Sequence, residues 1–189
     1  WVLMEKNNIN GIVVDVNLNT VKVRNWDYSI VTVPPHALMT ESFNNYRNMR
    51  HAKARRITIK LMLDSRTVVE AEEQLMKKLS EKGMLVDSKD LPGTVDDPIL
   101  TNLHLFSMYV EQYMMNLPHV NVRGLLMVRI GAPTAQGLPV EAYCHINKVD
   151  WKPFEQAHAR LVEHLLAVLP YFGLSVFQSP TDTSINKKI

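Results

Sequence analysis

The stretch from Gly11 to Asp27, GIVVDVNLNTVKVRNWD, decides how this chain is read. Valine and leucine alternate with polar residues along it (Val14, Val16, Leu18; then Val21, Val23). That period of two belongs to half-buried strands, whose successive side chains point to opposite faces. The pattern predicts strands over 9–16 and 18–25 and a tight connection at Asn25, Trp26, Asp27 and Tyr28. A third strand follows over 29–33, stopped by Pro34 and Pro35, and a fourth near Ser42 to Tyr46. Residues 1–50 are therefore expected to form a small all-β, Sm-like domain. Below about 40 residues a chain usually needs disulfides, a metal or association to be stable. This unit has no cysteine and a single histidine, His36. Self-association or docking on a neighbouring domain is left as its source of stability.

Working outward, Ile57, Ile59, Leu61 and Leu63 give a second strand signal that opens a larger unit over residues 51–189. Thr67 and Glu70 match a capping box, so a helix bearing Val68, Ala71, Leu75 and Leu79 is expected to run to Gly83. An insertion spans about 84–117. It holds a Gly- and Pro-containing loop from Val86 to Pro98, then an extra helix marked by Leu103, Phe106, Val110, Met114 and Leu117. Strands over 125–130 and 140–146, a helix entered near Pro153 and closed at Gly173, and a last short strand over 174–177 complete the unit. The fold class is α+β: the small β domain, then a ferredoxin-like α/β domain with one added helix.

Composition narrows the function classes. The 189 residues are 46% apolar and 21% charged, near the globular average, and the net charge of +2 selects no partner by itself. Cys144 is the only cysteine, so no intrachain disulfide is possible and a reducing compartment is expected. No apolar run reaches the roughly 18 residues of a membrane-spanning helix. The chain starts at Trp1 instead of a methionine, which leads us to expect a fragment of a longer protein.

Chemistry-bearing patterns are sparse. Histidines 36, 51, 104, 119, 145, 158 and 164 include no i, i+4 pair, and no phosphate-cradling glycine motif occurs, so no metal, cofactor or nucleotide site is expected. His158 and His164 read as helix-surface or helix-flank residues, with a surface histidine that titrates near neutral pH as the functional alternative. Glu70, Glu72 and Glu73 read as a solvated helix face, and Asp96 and Asp97 as acids that offset a helix dipole. Arg47, Arg50, Lys53, Arg55, Arg56 and Lys60 form the sharpest charge feature, with no acid between Arg47 and Leu63. They are either a solvated linker with outward strand positions or a basic patch for nucleic acid, anionic lipid or permeating anions. Trp26 and Tyr28 at a hairpin tip are either docking anchors or packed across the turn.

The run 11–27, continued by Ile30-Val-Thr-Val-Pro34 and Ser42-Phe-Asn-Asn-Tyr46, resembles the β domain of MscS-type (small-conductance) mechanosensitive channels. Gly11, Arg24, Val33, Pro34, Asn45 and Tyr46 occupy that domain's motif positions. Leu126-Met-Val-Arg129, Ala132-Pro133, Gly137-Leu-Pro139, Glu141-Ala-Tyr143, Trp151 and 172–180 are similar to the miniconductance, YbdG-like bacterial branch. One departure is Pro35, where the family often has asparagine. The resemblance implies a ring of seven copies on the cytoplasmic side of the bacterial inner membrane. That ring encloses a vestibule for permeating ions and small solutes, joined to a transmembrane region this chain lacks. It also implies release of solutes under hypo-osmotic tension, no catalysis, no cofactor and no nucleic-acid partner. Two other readings stay open: an RNA- or ligand-binding module using Arg47 to Lys60, and an enzyme built on dispersed groups such as Glu141 and His145.

Overall fold

The computed structural model describes residues 1–86 and 100–179. It divides into two compact units, Trp1–Lys53 and Ala54–Ile189.

In the first unit β1 (Val2–Met4), β2 (Ile9–Val16), β3 (Val21–Asn25), β4 (Ile30–Val33) and β5 (Asn44–Asn45) form one antiparallel sheet in the order β4-β3-β2-β1-β5. Two six-residue helices, α1 (Pro35–Thr40) and α2 (Arg47–Ala52), complete it. The alternation signal finds the long strands but misplaces their faces. The register of β2 on β3 shifts between Val13 and Asp15, a β-bulge; Val14, Val16 and Leu18 are all exposed, and Leu18, at 93%, lies in the turn, not in β3. Pro35 does more than stop β4. Its fixed φ opens α1 at the first helical position, where a missing N–H costs nothing. β1 and β5 are too short to show a period. The buried core is Val2, Met4, Ile9, Val21, Val23, Val33 and Ala37, small for a unit of this length. At Gly11 β3 leaves no room for a side chain: a Cβ there would lie 2.0 Å from the carbonyl oxygen of Arg24.

In the second unit β6 (Arg55–Leu63), β7 (Met127–Ile130) and β8 (Leu138–Ile146) form an antiparallel sheet in the order β6-β8-β7. Leu63 also bridges to Val176, with Asp64 N–H on Ser175 O at 2.9 Å and Phe177 N–H on Met62 O at 2.7 Å. The order is thus fourth, first, third, second, the ferredoxin-like arrangement, although the last strand is reduced to this short pairing. Helices α3 (Glu73–Glu81), α4 (Asn102–Met115) and α5 (Trp151–Val168) belong to the same unit. Ile57, Ile59, Leu61 and Leu63 on β6 and Val140, Ala142, Cys144 and Ile146 on β8 are buried in one core with Phe106, Met114, Leu161, Leu165 and Phe172. Gly173, at φ +70, closes the 3-10 turn Leu169–Phe172 that ends α5. The loop expected from Val86 to Pro98, with Asp96 and Asp97, lies outside the described residues apart from Val86.

The capping box at Thr67 and Glu70 does not form; α3 starts only at Glu73. Thr67 donates its hydroxyl to Asp64 O at 2.7 Å, within a 3-10 turn. Beyond it the chain runs extended beside the entry to α4: Asn102 N–H bonds Val69 O at 3.0 Å and Ala71 N–H bonds Leu100 O at 2.7 Å. The side chain of Asn102 holds this arrangement. Its Oδ1 accepts from Val69 N–H at 3.0 Å, and its Nδ2 donates to Thr67 O at 2.8 Å and to Phe172 O at 3.0 Å. Asn102 is fully buried, and these bonds satisfy its amide. The β-branched pair Val68 and Val69 suits the extended course.

Candidate functional site

The six basic residues divide between the units. In the first, Asn45 Oδ1 accepts from Arg47 N–H at 2.9 Å and thereby starts α2. The spacing of three and four residues puts Arg47, Arg50 and His51 on one exposed helix face. Arg47 Nε donates to His51 Nε2 at 3.3 Å. Lys53 ends α2 in the left-handed conformation, φ +47. A groove of about 530 Å³ borders this face, lined by Trp1, Val2, Val13, Asn45, Arg47, Arg50 and His51.

The remaining three sit on β6 and differ among themselves. Arg55 is used in packing: its guanidinium lies 3.7 Å from the Phe154 ring centre and 5.2 Å from that of Trp151, and it donates to Val149 O at 3.2 Å. These contacts tie the start of α5 to β6. Arg56 and Lys60 point away from the core, as alternation requires. On the same sheet face Glu141 receives Arg129 Nη2, the Tyr143 hydroxyl at 2.8 Å and Lys60 Nζ at 3.6 Å. The Tyr143 and Arg129 hydrogen bonds hold the Glu141 carboxyl below the usual range, and the Tyr143 hydroxyl is raised by the same bond. Two of the face's cations, Arg129 and Lys60, thus share the single negative charge of Glu141, which weakens it as a polyanion site.

The motif positions of the β unit are structural in their contacts. Gly11 permits the close strand approach and Val33 is core. Pro34 stands at the N-cap of α1, and Tyr46 lies 4.2 Å from Trp1, ring to ring. Arg24 is 5.9 Å over the Tyr28 ring. The hairpin tip holds Tyr28 at φ +68 and 81% exposed, while Asp27 accepts from Ser29 N–H and Oγ–H; these bonds hold its carboxyl low. The Trp26 indole is tied to Asn10 Oδ1 at 3.0 Å, which Trp1 also reaches at 2.9 Å.

Sequence reasoning overlooked one polar cluster. His164 lies on the flank of α5: it is half-buried, stacks on Tyr113 at 3.7 Å and 11°, and shares a 2.9 Å hydrogen bond with the Tyr109 hydroxyl. Tyr109 and Tyr113 sit four apart on α4, a spacing that could have announced a shared face. Burial lowers the His164 imidazole below its ordinary 6.5, and His119 is lowered by burial and by Lys148 and Arg160. In the native state both rings resist protonation, so the unfolded chain binds the proton first. Stability is full above about pH 6.5 and is lost as pH falls through the native values. The thermal midpoint at pH 5.5 should lie below that at 7.5, and less so in His164→Phe. A flat or rising midpoint would contradict this. Cys144, buried on β8, has its thiol pushed up to about 11 and stays protonated at neutral pH. Among the described residues no group of three or more His, Cys, Asp or Glu is placed to hold a metal ion, and no helix is long and apolar enough to cross a membrane.

Residues 1–48, almost the whole first unit, match the family described as the mechanosensitive ion channel, beta-domain. The fold is similar to that of Arabidopsis thaliana MSL1, with a TM-score of 0.63 at 13% identity over 91% of this chain and 50% of that one. A second structure, of the wild-type Arabidopsis protein, gives 0.62 at 12% over 89% and 47%. Helicobacter pylori MscS in its closed state gives 0.53 at 12% over 91% and 53%. The chain thus spans about half the length of each. At these identities the likeness shows the fold alone: a small β domain followed by an α/β domain, as in those structures.

Proposed function

We propose that this chain is the assembly and vestibule region of a mechanosensitive channel of MscS type, on the cytoplasmic side of a bacterial inner membrane. In this reading seven copies form a ring below a transmembrane region, and ions and small solutes cross it when hypo-osmotic tension opens the pore. The motifs from Leu126 to Pro139 favour the YbdG-like branch. No catalysis is assigned.

The observation that carries the proposal is the β domain's imbalance between core and surface. Its small core is accompanied by exposed Val14, Val16, Leu18, Trp26, Tyr28, Ile30, Met39 and Phe43. Neighbouring copies would bury such surface, and edge strands β4 and β5 offer unpaired backbone. Native mass spectrometry of the chain is expected to show one closed oligomer. Leu18→Asp with Tyr28→Asp should weaken association about tenfold, the effect of losing roughly 1.4 kcal/mol at an interface. A chain that stays monomeric at every concentration would count against assembly through this region. RNA binding is the competing outcome, and it would show as retention on a polyanion with a steep salt slope.

A further inference from the structure

Strand β7 is the last in its sheet, so one side of its backbone has no strand beside it. Gly131 N–H bonds Pro139 O at 2.8 Å, which makes these two a hydrogen-bonded pair at the end of the β7–β8 ladder. Such pairs alternate with open ones along an antiparallel ladder. The backbone of Arg129 therefore also turns to β8, while the N–H and C=O groups of Val128 and Ile130 point outward. An outward row of this kind is a template for a further strand. Ile130, opposite the buried Val140, is itself 44% exposed, so the edge presents apolar surface as well. One outward donor is nevertheless taken: Val128 N–H bonds Glu111 Oε1 at 2.6 Å, a carboxyl carried by α4.

We propose that Glu111 closes the β7 edge to a second copy of this chain and so keeps α/β units from joining strand to strand. The register it blocks follows from the ladder. Two β7 strands meeting antiparallel about Arg129 would set Val128 in each opposite Ile130 in the other, and each such pair would exchange both of its outward bonds. Because Val128 N–H is already engaged, the pair completes only if the carboxyl withdraws. The same register sets Arg129 against Arg129 in the open pair between them, where side chains come closest and like charges oppose contact. In the single chain that guanidinium is turned to Glu141. None of this depends on how the first unit associates.

The test places a reporter thiol at the position on the two-fold axis, Arg129→Cys, in the full chain, since residues of an open pair lie close enough for a disulfide. Cys144 is buried and does not compete. Three chains are compared under mild oxidation: Arg129→Cys alone, with Glu111→Ala, and with Glu111→Gln, which keeps an acceptor oxygen. The alanine chain should crosslink about tenfold faster than the other two, the effect of removing one hydrogen bond. Alanine favours helix, so α4 is kept. Amide exchange at Val128 should rise by a similar factor with alanine and not with glutamine. Adding Ile130→Pro removes the other outward N–H at a place where an edge strand tolerates proline, and should abolish the gain. Equal crosslinking in the three chains, whatever the exchange at Val128, overturns the proposal, as does crosslinking that survives Ile130→Pro. The thiol reports on β7 alone, so the result stands whether or not the first unit assembles.

Discussion

Replacing Asn102 with alanine should cost the α/β unit about 3 kcal/mol, because its three backbone partners, one buried and two part-buried, are left unpaired together. Val69 N–H, Thr67 O and Phe172 O all depend on this one amide. Thr67 and Val69 belong to one segment and Phe172 to another far along the sequence, so no local adjustment can restore all three. A loss of that size is a large share of the roughly 5 to 15 kcal/mol that holds a domain folded. Urea unfolding followed by circular dichroism measures it. Asn102→Asp should be no better, since it keeps an acceptor, loses both donors and buries a charge. If Asn102→Ala unfolds within about 1 kcal/mol of the parent, the amide is not the fastener described here.

The second large effect is expected at Gly11. The nearest atoms to an added Cβ are Arg24 O at 2.0 Å, Arg24 C at 2.6 Å and Asn25 Cα at 2.6 Å, all backbone. No rotamer change can relieve such a contact, so β2 and β3 would have to part. Overpacking of this kind costs about 3 kcal/mol or more, and the small core leaves little reserve. Gly11→Ala should therefore disrupt the β domain, seen as a red shift of tryptophan emission as Trp1 and Trp26 lose their shared contact with Asn10. Unchanged emission and an unchanged thermal midpoint would show that the strands can separate at no cost.

Both positions show how far the sequence can be read. Gly11 stood out as a motif position, yet only the register of β2 against β3 shows why a side chain cannot fit there. Strands with a clear period, β2, β3, β6 and β8, were legible because alternation needs only local sequence. The bulge after Val13 was not: it shifts the pairing of β2 with β3 by one residue, and nothing local marks it. Thr67 and Glu70 satisfied a capping rule, but a distant asparagine held the segment extended, so tertiary bonding overrode propensity. In the basic run, sequence proximity suggested six equivalent charges. Arg55 instead packs on Phe154, Lys60 pairs with Glu141, and Arg47 contacts His51 beside a groove. Charge is visible in a sequence, whereas its partners depend on which strands meet.

Cys144 is the only cysteine, is 1% exposed and remains protonated well above neutral pH. Thiol reagents act on accessible thiolates, so the unaltered chain should be silent to maleimides while folded. A reporter cysteine placed at Leu18 or Tyr28 would then be the only reactive thiol, with no need to remove the native one. The chain can thus serve as its own background in distance measurements between copies, and labelling of Cys144 itself becomes a clock for how often the α/β core opens.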